Sequence, residues 1–222
     1  NYLTVQLKQH QNYGPSQIRL QVVNDRIIRV QATAEQSFRN KQSLIIVPQK
    51  GKANYKVEEQ GDELIITTAA MRAVLNEATG QITFYDLKGQ VLLNEVAQGG
   101  KTFKPFTVPD REIGVDIAKV PEAQKHGWSW RALFDSPDNE AFYGLGQHQS
   151  EELNMKGKNE DLFQYNTKVS VPFVISNKNY GILWDSYSYC RWGNPEDYLQ
   201  LNRAFKLYDK DGKEGQLTGT YV

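Results

Sequence analysis

Disulfide staples are excluded at once, because the 222 residues include a single cysteine, Cys190, and bridged modules need pairs. Histidine is nearly as scarce. His10, His126 and His148 stand far apart, and no His-x-x-x-His or Cys-x-x-Cys spacing offers a metal two ligands on one face. No charge of one sign dominates, since Lys and Arg total 26 and Asp and Glu also total 26. A nucleic-acid partner calls for a concentrated basic face, so none is expected. The weak basic excess over 39–52 lies beside acidic residues and reads as a solvated face. No apolar run approaches the ~20 residues that cross a bilayer as a helix, so no transmembrane segment is expected. The opening at Asn1 shows no signal-peptide pattern. Helical stripes are missing too: 194–201 offers one short turn at most.

What the chain does have is alternation with a period of two. Leu3, Val5 and Leu7 define one apolar face, and Ile18, Leu20 and Val22 another. The segment 22–28 reads as a hairpin turning at Asn24-Asp25, with Ile28, Val30 and Ala32 on the returning strand. Ser43 to Val47 is a short apolar run closed by Pro48. Further hairpins follow: 55–59 with 63–67 across Gln60-Gly61-Asp62, then 71–75 through Asn76–Gly80 into 81–85, and Asp86–Gly89 into 91–93. Each turn carries Gly, Asn or Asp, the residues that tolerate positive φ. Past Gly99-Gly100, strands are expected at 111–117, 128–134 and 141–145. Strands at about ten-residue intervals with such turns indicate an antiparallel, multi-stranded β-sandwich, an all-β fold.

The chemistry-bearing candidates gather in 140–192. Gln147-His148-Gln149 contains a histidine, but a lone loop histidine is most often solvated. Cys190, in a strand-like setting, reads as a small buried hydrophobe. Tyr143-Gly144-Leu145-Gly146-Gln147 lacks the third glycine and the following helix of a phosphate cradle; its glycines suit a tight bend or close backbone approach. Glycoside hydrolysis needs paired carboxylates. Asp135, Asp138, Glu140, Glu151, Glu152, Glu160, Asp161 and Asp185 show no such pairing, and solvated turn positions are the better reading for all of them. What remains is aromatic and amide-rich: Trp128, Trp130, Phe142, Tyr143, Phe163, Gln164, Tyr165, Asn166, Trp184, Tyr187, Tyr189 and Trp192. Aromatic faces stack on sugar C–H faces and amides bond hydroxyls. Packing is the better reading for Phe142, Trp184 and the Trp128/Trp130 pair. For Gln164, Tyr165 and Asn166, packing and sugar contact both stay open.

An ordered set of motifs points further. Phe142-Tyr-Gly-Leu-Gly-Gln147, then Val171-Pro172-Phe173, then Tyr180-Gly-Ile-Leu183, together with Ile27–Val30 and Gly80-Gln-Ile-Thr-Phe-Tyr-Asp-Leu-Lys-Gly-Gln-Val-Leu-Leu-Asn-Glu95, resembles the N-terminal domain of glycoside hydrolase family 31. The resemblance covers about residues 3–207. It implies a β-sandwich of the galactose mutarotase-like type, over 1–213, that packs on a (β/α)8 barrel of the same polypeptide. The catalytic aspartates of the family belong to that barrel, which this chain has neither the length nor the βα alternation to build. The resemblance thus implies a non-catalytic domain, inactive alone, of an α-xylosidase or α-glucosidase, with no cofactor and a substrate bearing α-linked xylose or glucose. It also implies a loop reaching towards the sugar site, here Phe163, Gln164, Tyr165 and Asn166. Many members carry a Trp-Asn-x-Asp-like sequence there, which this chain replaces. Residues 214–222 form a linker or resemble the opening of a PA14-type insertion, found in exported enzymes, which implies the periplasm or cell surface. Two other functions stand beside this one: an autonomous carbohydrate-binding module, and, ranked last, an aldose 1-epimerase, which needs a positioned histidine and glutamate.

Overall fold

The computed structural model describes residues 2–9, 11–39, 42–47, 53–107, 117–149, 152–186, 188–194 and 206–215. Its first unit follows the two-residue alternation directly. Strands β1 (Leu3–Gln6), β2 (Gln17–Asn24) and β3 (Ile27–Thr33) form an antiparallel sheet in that order. Ile18 and Leu20 point inward and are buried, while their neighbours along β2 are only half-buried. A five-stranded meander follows: β4 (Tyr55–Gln60), β5 (Glu63–Thr68), β6 (Met71–Asn76), β7 (Ile82–Asp86) and β8 (Val91–Asn94), also in sequence order. Leu64, Ile66, Leu75 and Ile82 face Leu7, Ile18 and Leu20 in one core between the sheets. Each such side chain, fully buried, contributes roughly 1.5–3 kcal/mol. The two layers are also tied by polar bonds: Thr68 Oγ1, at the end of β5, donates to the Asp25 carbonyl in the β2–β3 turn at 2.7 Å.

The expected turns hold. Asn24 Oδ1 accepts from the Arg26 N–H at 2.9 Å, and Asn76 Oδ1 caps the β6–β7 connection by accepting from Ala78 and Thr79. Gly80 is needed at its position for two reasons. Its φ is +75°, and a Cβ there would lie 2.9 Å from Leu7 Cδ1.

The second half begins with a ribbon of β9 (Lys101–Thr107) and β10 (His126–Ala132). It continues as β11 (Phe142–Gln147), β13 (Val169–Ser176) and β14 (Tyr180–Leu183) in the order β11-β13-β14, with β12 (Glu160–Leu162) paired to β15 (Cys190–Trp192). A smaller core of Phe142, Leu145, Met155 and Val174 lies on one face of the β11-β13-β14 sheet. Three stacked rings, Phe103, Trp130 and Trp184, join that sheet to the ribbon, with centroids 5.5 and 4.4 Å apart.

The all-β antiparallel architecture is as expected from the sequence. Several details go beyond that reading. The short apolar run Ser43 to Val47 forms no strand: Leu44 and Val47 are 81% and 76% exposed, and Ser43 bonds Asp185. A single-turn helix, α1 (Glu122–Lys125), and a 3-10 turn at Ile117–Lys119 precede β10. The strand expected at 128–134 starts earlier and ends at Ala132, with Phe134 making a lone bridge to Glu95. The strand expected at 111–117 and most of the turn expected at 194–201 lie outside the described residues. Among the described residues no helix is long and apolar enough to cross a membrane.

Candidate functional site

The glycines of the 143–147 motif shape the site by bending one strand. Between Gly144 and Gly146 the β11–β13 register shifts, and Leu145 takes φ +67°. A Cβ on Gly144 would meet the Phe173 carbonyl oxygen at 2.6 Å, and one on Gly146 the Val169 oxygen at 1.9 Å. Bend and close approach are both required, as the sequence indicated. The bulge turns the chain after β11 towards β12 and the loop that precedes β13.

That loop carries Phe163, Gln164, Tyr165 and Asn166. All four are exposed, and Phe163 and Tyr165 pack against each other at 5.7 Å between centroids. Gln164 makes no side-chain hydrogen bond to any described residue. Asn166 has a backbone reason for its identity, since its φ is +47° and asparagine tolerates that region better than most. The β12–β15 pairing then adds a residue that was not assigned to this loop from sequence. Tyr189 stands edge-on to Phe163 at 6.5 Å, and its hydroxyl donates to Asp161 Oδ1 at 2.6 Å. Three aromatic rings, each more than half exposed, thus form one surface. Asp161 and Tyr189 are 28 residues apart, so only the strand pairing could join them.

Under this surface lies a charged set. Lys168 Nζ is 3.1 Å from Glu160 Oε2 and donates to the Asp161 carbonyl at 3.3 Å. His148 Nδ1 is 3.2 Å from the same Glu160 oxygen, and its Nε2 is 2.8 Å from the Leu145 carbonyl oxygen. The His148 side chain is only 3% exposed, so the solvated reading is wrong: the bulge folds the ring under Glu160. Solvation was also the wrong reading for three carboxylates. Glu140 is buried and accepts from the Ser176 and Tyr180 hydroxyls at 2.5 and 2.6 Å. Burial, with that carboxylate beside it, pushes the Tyr180 phenol well above its ordinary pKa. Asp185 binds Arg29 at 2.5 Å and Ser43 at 2.7 Å, and Glu160 is held as above. Their partners come from distant sequence, which hid them.

Packing is the outcome for Phe142, Trp184 and Trp130. Phe142 is buried and edge-on to Trp192, whose indole donates to the Met155 carbonyl. Trp128 departs from the packing reading. It is 44% exposed, with only a 3.4 Å indole bond to Glu35. Cys190 is half-buried, and burial pushes its thiol pKa up. Tyr187, His10 and Glu151 lie outside the described residues. No group of three His, Cys, Asp or Glu residues close enough to hold a metal occurs among the described residues. A concavity of about 310 Å³ lies on the outer face of the five-stranded sheet, but its Gln81, Thr83 and Asn94 side chains are already bonded to one another.

This architecture has relatives. Residues 17–192 match the model of the glycosyl hydrolase 31 N-terminal galactose mutarotase-like domain. The chain belongs to that family. The domain shares 37% identity and a TM-score of 0.79 with a GH31 α-xylosidase from Xanthomonas citri, covering 96% of this chain and 21% of that one. A GH31 α-xylosidase from a soil metagenome, solved with xylose, is 27% identical with a TM-score of 0.63 over 82% of this chain and 27% of that one. Among curated proteins, an uncharacterized family 31 glucosidase of Pseudescherichia vulneris is 27% identical over 178 residues, 76% of this chain and 32% of its own. An α-xylosidase of Saccharolobus solfataricus is 25% identical over 185 residues, 79% of this chain and 23% of its own. The domain therefore spans about a fifth to a third of these relatives. Its described residues are nearly all β and build no (β/α)8 barrel.

Proposed function

We propose that this domain is the non-catalytic N-terminal part of an α-glycosidase, an α-xylosidase or α-glucosidase. It supports a (β/α)8 barrel of the same polypeptide and lends Phe163, Gln164, Tyr165 and Asn166 to the barrel's substrate site. The supporting observation is the outer face of the β11-β13-β14 sheet. Tyr143, Val169, Val171, Phe173, Ile175 and Leu183 are each 38–49% exposed there, and the register sets Tyr143 opposite Ile175 and Phe173 opposite Leu183. An apolar face of this kind marks a surface that a neighbouring body covers. The relatives' additional length supplies such a body.

The test compares the 222-residue chain with a polypeptide extended through the barrel, on aryl α-xyloside and α-glucoside. Only the longer protein is expected to hydrolyse either. Hydrolysis by the chain alone sinks the reading. The proposal places the enzyme in the periplasm or at the cell surface, which fractionation checks, and begins a PA14-like insertion near 214. Of that segment Glu214 and Gly215 close a hairpin on Tyr208 and Leu207, and 216–222 lie outside the described residues.

The exposed Phe163–Tyr165–Tyr189 surface favours one second reading, an autonomous carbohydrate-binding module. Calorimetry of the chain with xyloglucan oligosaccharides and maltose separates the two; no heat at millimolar sugar removes the module. The epimerase reading has a histidine–glutamate pair in His148 and Glu160, but substrate has no access to a ring 3% exposed.

A further inference from the structure

We infer that the outward face of the β12–β15 ribbon is a sugar-contact surface continuing the 163–166 loop, and that Tyr189 makes it selective for oligosaccharides over short glycosides. This rests on the proposed role of that loop at the substrate site. The ribbon's register separates two faces. Glu160 stands opposite Trp192, Asp161 opposite Arg191 and Leu162 opposite Cys190, and side chains alternate between the faces along each strand. Leu162 and Trp192, on one face, pack against the core of Phe142, Leu145, Met155 and Val174. Asp161 and Arg191 belong to the other face. One step beyond the last pair, Phe163 and Tyr189 join them there.

The chemistry of this outward face suits a neutral, polyhydroxylated chain. The Tyr189 hydroxyl donates to Asp161 Oδ1 at 2.6 Å, which fixes the ring at 66° to Phe163 before any ligand arrives. A ring already held in place costs less to order on binding. Tyr165 extends the row on the far side of Phe163, and the Lys168 ammonium lies 5.9 Å from the Tyr165 centroid. Rings bordered by a carboxylate and cations offer stacking to sugar C–H faces and hydrogen bonds to hydroxyls. The outer face of the β11-β13-β14 sheet carries aliphatic Val169, Val171, Ile175 and Leu183 instead, the composition of a surface that protein covers. Phe163 is the middle ring of the row, since it meets both Tyr165 and Tyr189. With the 163–166 loop at the substrate site, Tyr189 stands at the outer end of the row. A ligand reaches it only by extending past the group next to the cleaved bond.

The test is kinetic, in the barrel-containing polypeptide, with an aryl glycoside and an oligosaccharide that end in the same α-linked sugar. Tyr189→Ala is expected to raise KM for the oligosaccharide about tenfold, as for losing one ring contact. KM for the aryl glycoside and kcat for both substrates should move less than about twofold, because the ring holds ground and transition states alike. Tyr189→Phe keeps the ring and loses its anchor, so the oligosaccharide KM rises about threefold, a hydrogen bond's share. Should the alanine variant not fold, the phenylalanine variant carries the same comparison. An oligosaccharide KM unchanged in both variants overturns this role, and so does an equal rise for the two substrates. A lowered Tm of the longer polypeptide, with none in the 222-residue chain, gives the face to the barrel and overturns it as well. Tyr165→Ala separates the underlying reading. If it raises KM while the Tyr189 variants do not, the role of Tyr189 alone falls; if it too changes neither KM, the loop itself lies away from the substrate site and both fall.

Discussion

The ion pair of Glu95 and Lys101 gives the sharpest test of how this sandwich is held together. Lys101 opens β9, and Glu95 follows β8; both side chains are 5% exposed. Lys101 Nζ binds Glu95 Oε2 and also donates to the Gly80 carbonyl at 3.0 Å, while the Ile82 N–H donates to the same carboxylate oxygen at 2.8 Å. Burial is the leading influence on both groups, raising the Glu95 pKa and lowering that of Lys101. Lys101→Met keeps most of the stem and removes the charge. It leaves a buried carboxylate with one donor and the Gly80 carbonyl with none. Breaking a buried pair in this way costs about 3–5 kcal/mol, or roughly 6–20 °C in Tm for a chain of this size. The pH dependence is the decisive part. In the variant the Glu95 carboxyl has a folded pKa above its unfolded value of about 4.3. Stability is therefore greatest below that unfolded value and falls as pH rises through the folded pKa, by up to about 1.4 kcal/mol per unit. Adding Glu95→Gln removes the buried charge and keeps an acceptor for the Ile82 N–H, so the double variant should recover most of the loss and be flat with pH. Urea unfolding followed by tryptophan fluorescence and circular dichroism at pH 4.5 and 8 measures all three proteins. A loss below about 1 kcal/mol, a single variant equally impaired at both pH values, or a double variant no better than the single one refutes the reasoning.

Other outcomes follow from the same geometry. Gly146→Ala combines φ +98° with a Cβ placed 1.9 Å from the Val169 oxygen; it should cost more than about 2 kcal/mol, read as a lowered unfolding midpoint. Glu140→Ala strands the Ser176 and Tyr180 hydroxyls and should cost about 2–4 kcal/mol, whereas Tyr180→Phe should cost about 1 kcal/mol; equal losses would contradict the shared-carboxylate account. Ile175→Asp should leave the 222-residue chain as stable as wild type, because Ile175 is 49% exposed, but lower the Tm of the barrel-containing polypeptide. Tyr165→Ala should leave chain stability within about 0.5 kcal/mol and raise KM for aryl α-xyloside in the longer protein.

The first hundred residues were legible because their structure is local. Ile18 and Leu20 alternate with polar neighbours, Asn24 and Asn76 form their turns within three residues, and each meander strand pairs with the next. Burial by alternation needs no distant partner. The second half was legible as a motif, through Gly144, Gly146 and Pro172, but not as a set of contacts. Glu140, Glu160 and Asp185 read as solvated because a carboxylate's partner cannot be seen from its own neighbours. Asp185 binds an arginine 156 residues away. Trp128 and Trp130 share one strand and one spacing, yet only Trp130 finds rings on both sides.

Composition and pattern alone determined the all-β class, the order of the hairpins and the glycine-dependent bend after Phe142, all of which follow from period, turn chemistry and backbone conformation that each residue carries with it; the family domain came from the resemblance of its ordered motifs. Tertiary structure decided which charges are buried and paired, brought Tyr189 beside Phe163, and turned the lone histidine of the 147–149 segment into a buried partner of Glu160. Those outcomes depend on β12 meeting β15 and on the bulge at Leu145 folding the chain back, and side chains so far apart in sequence acquire their partners only when the sheets close.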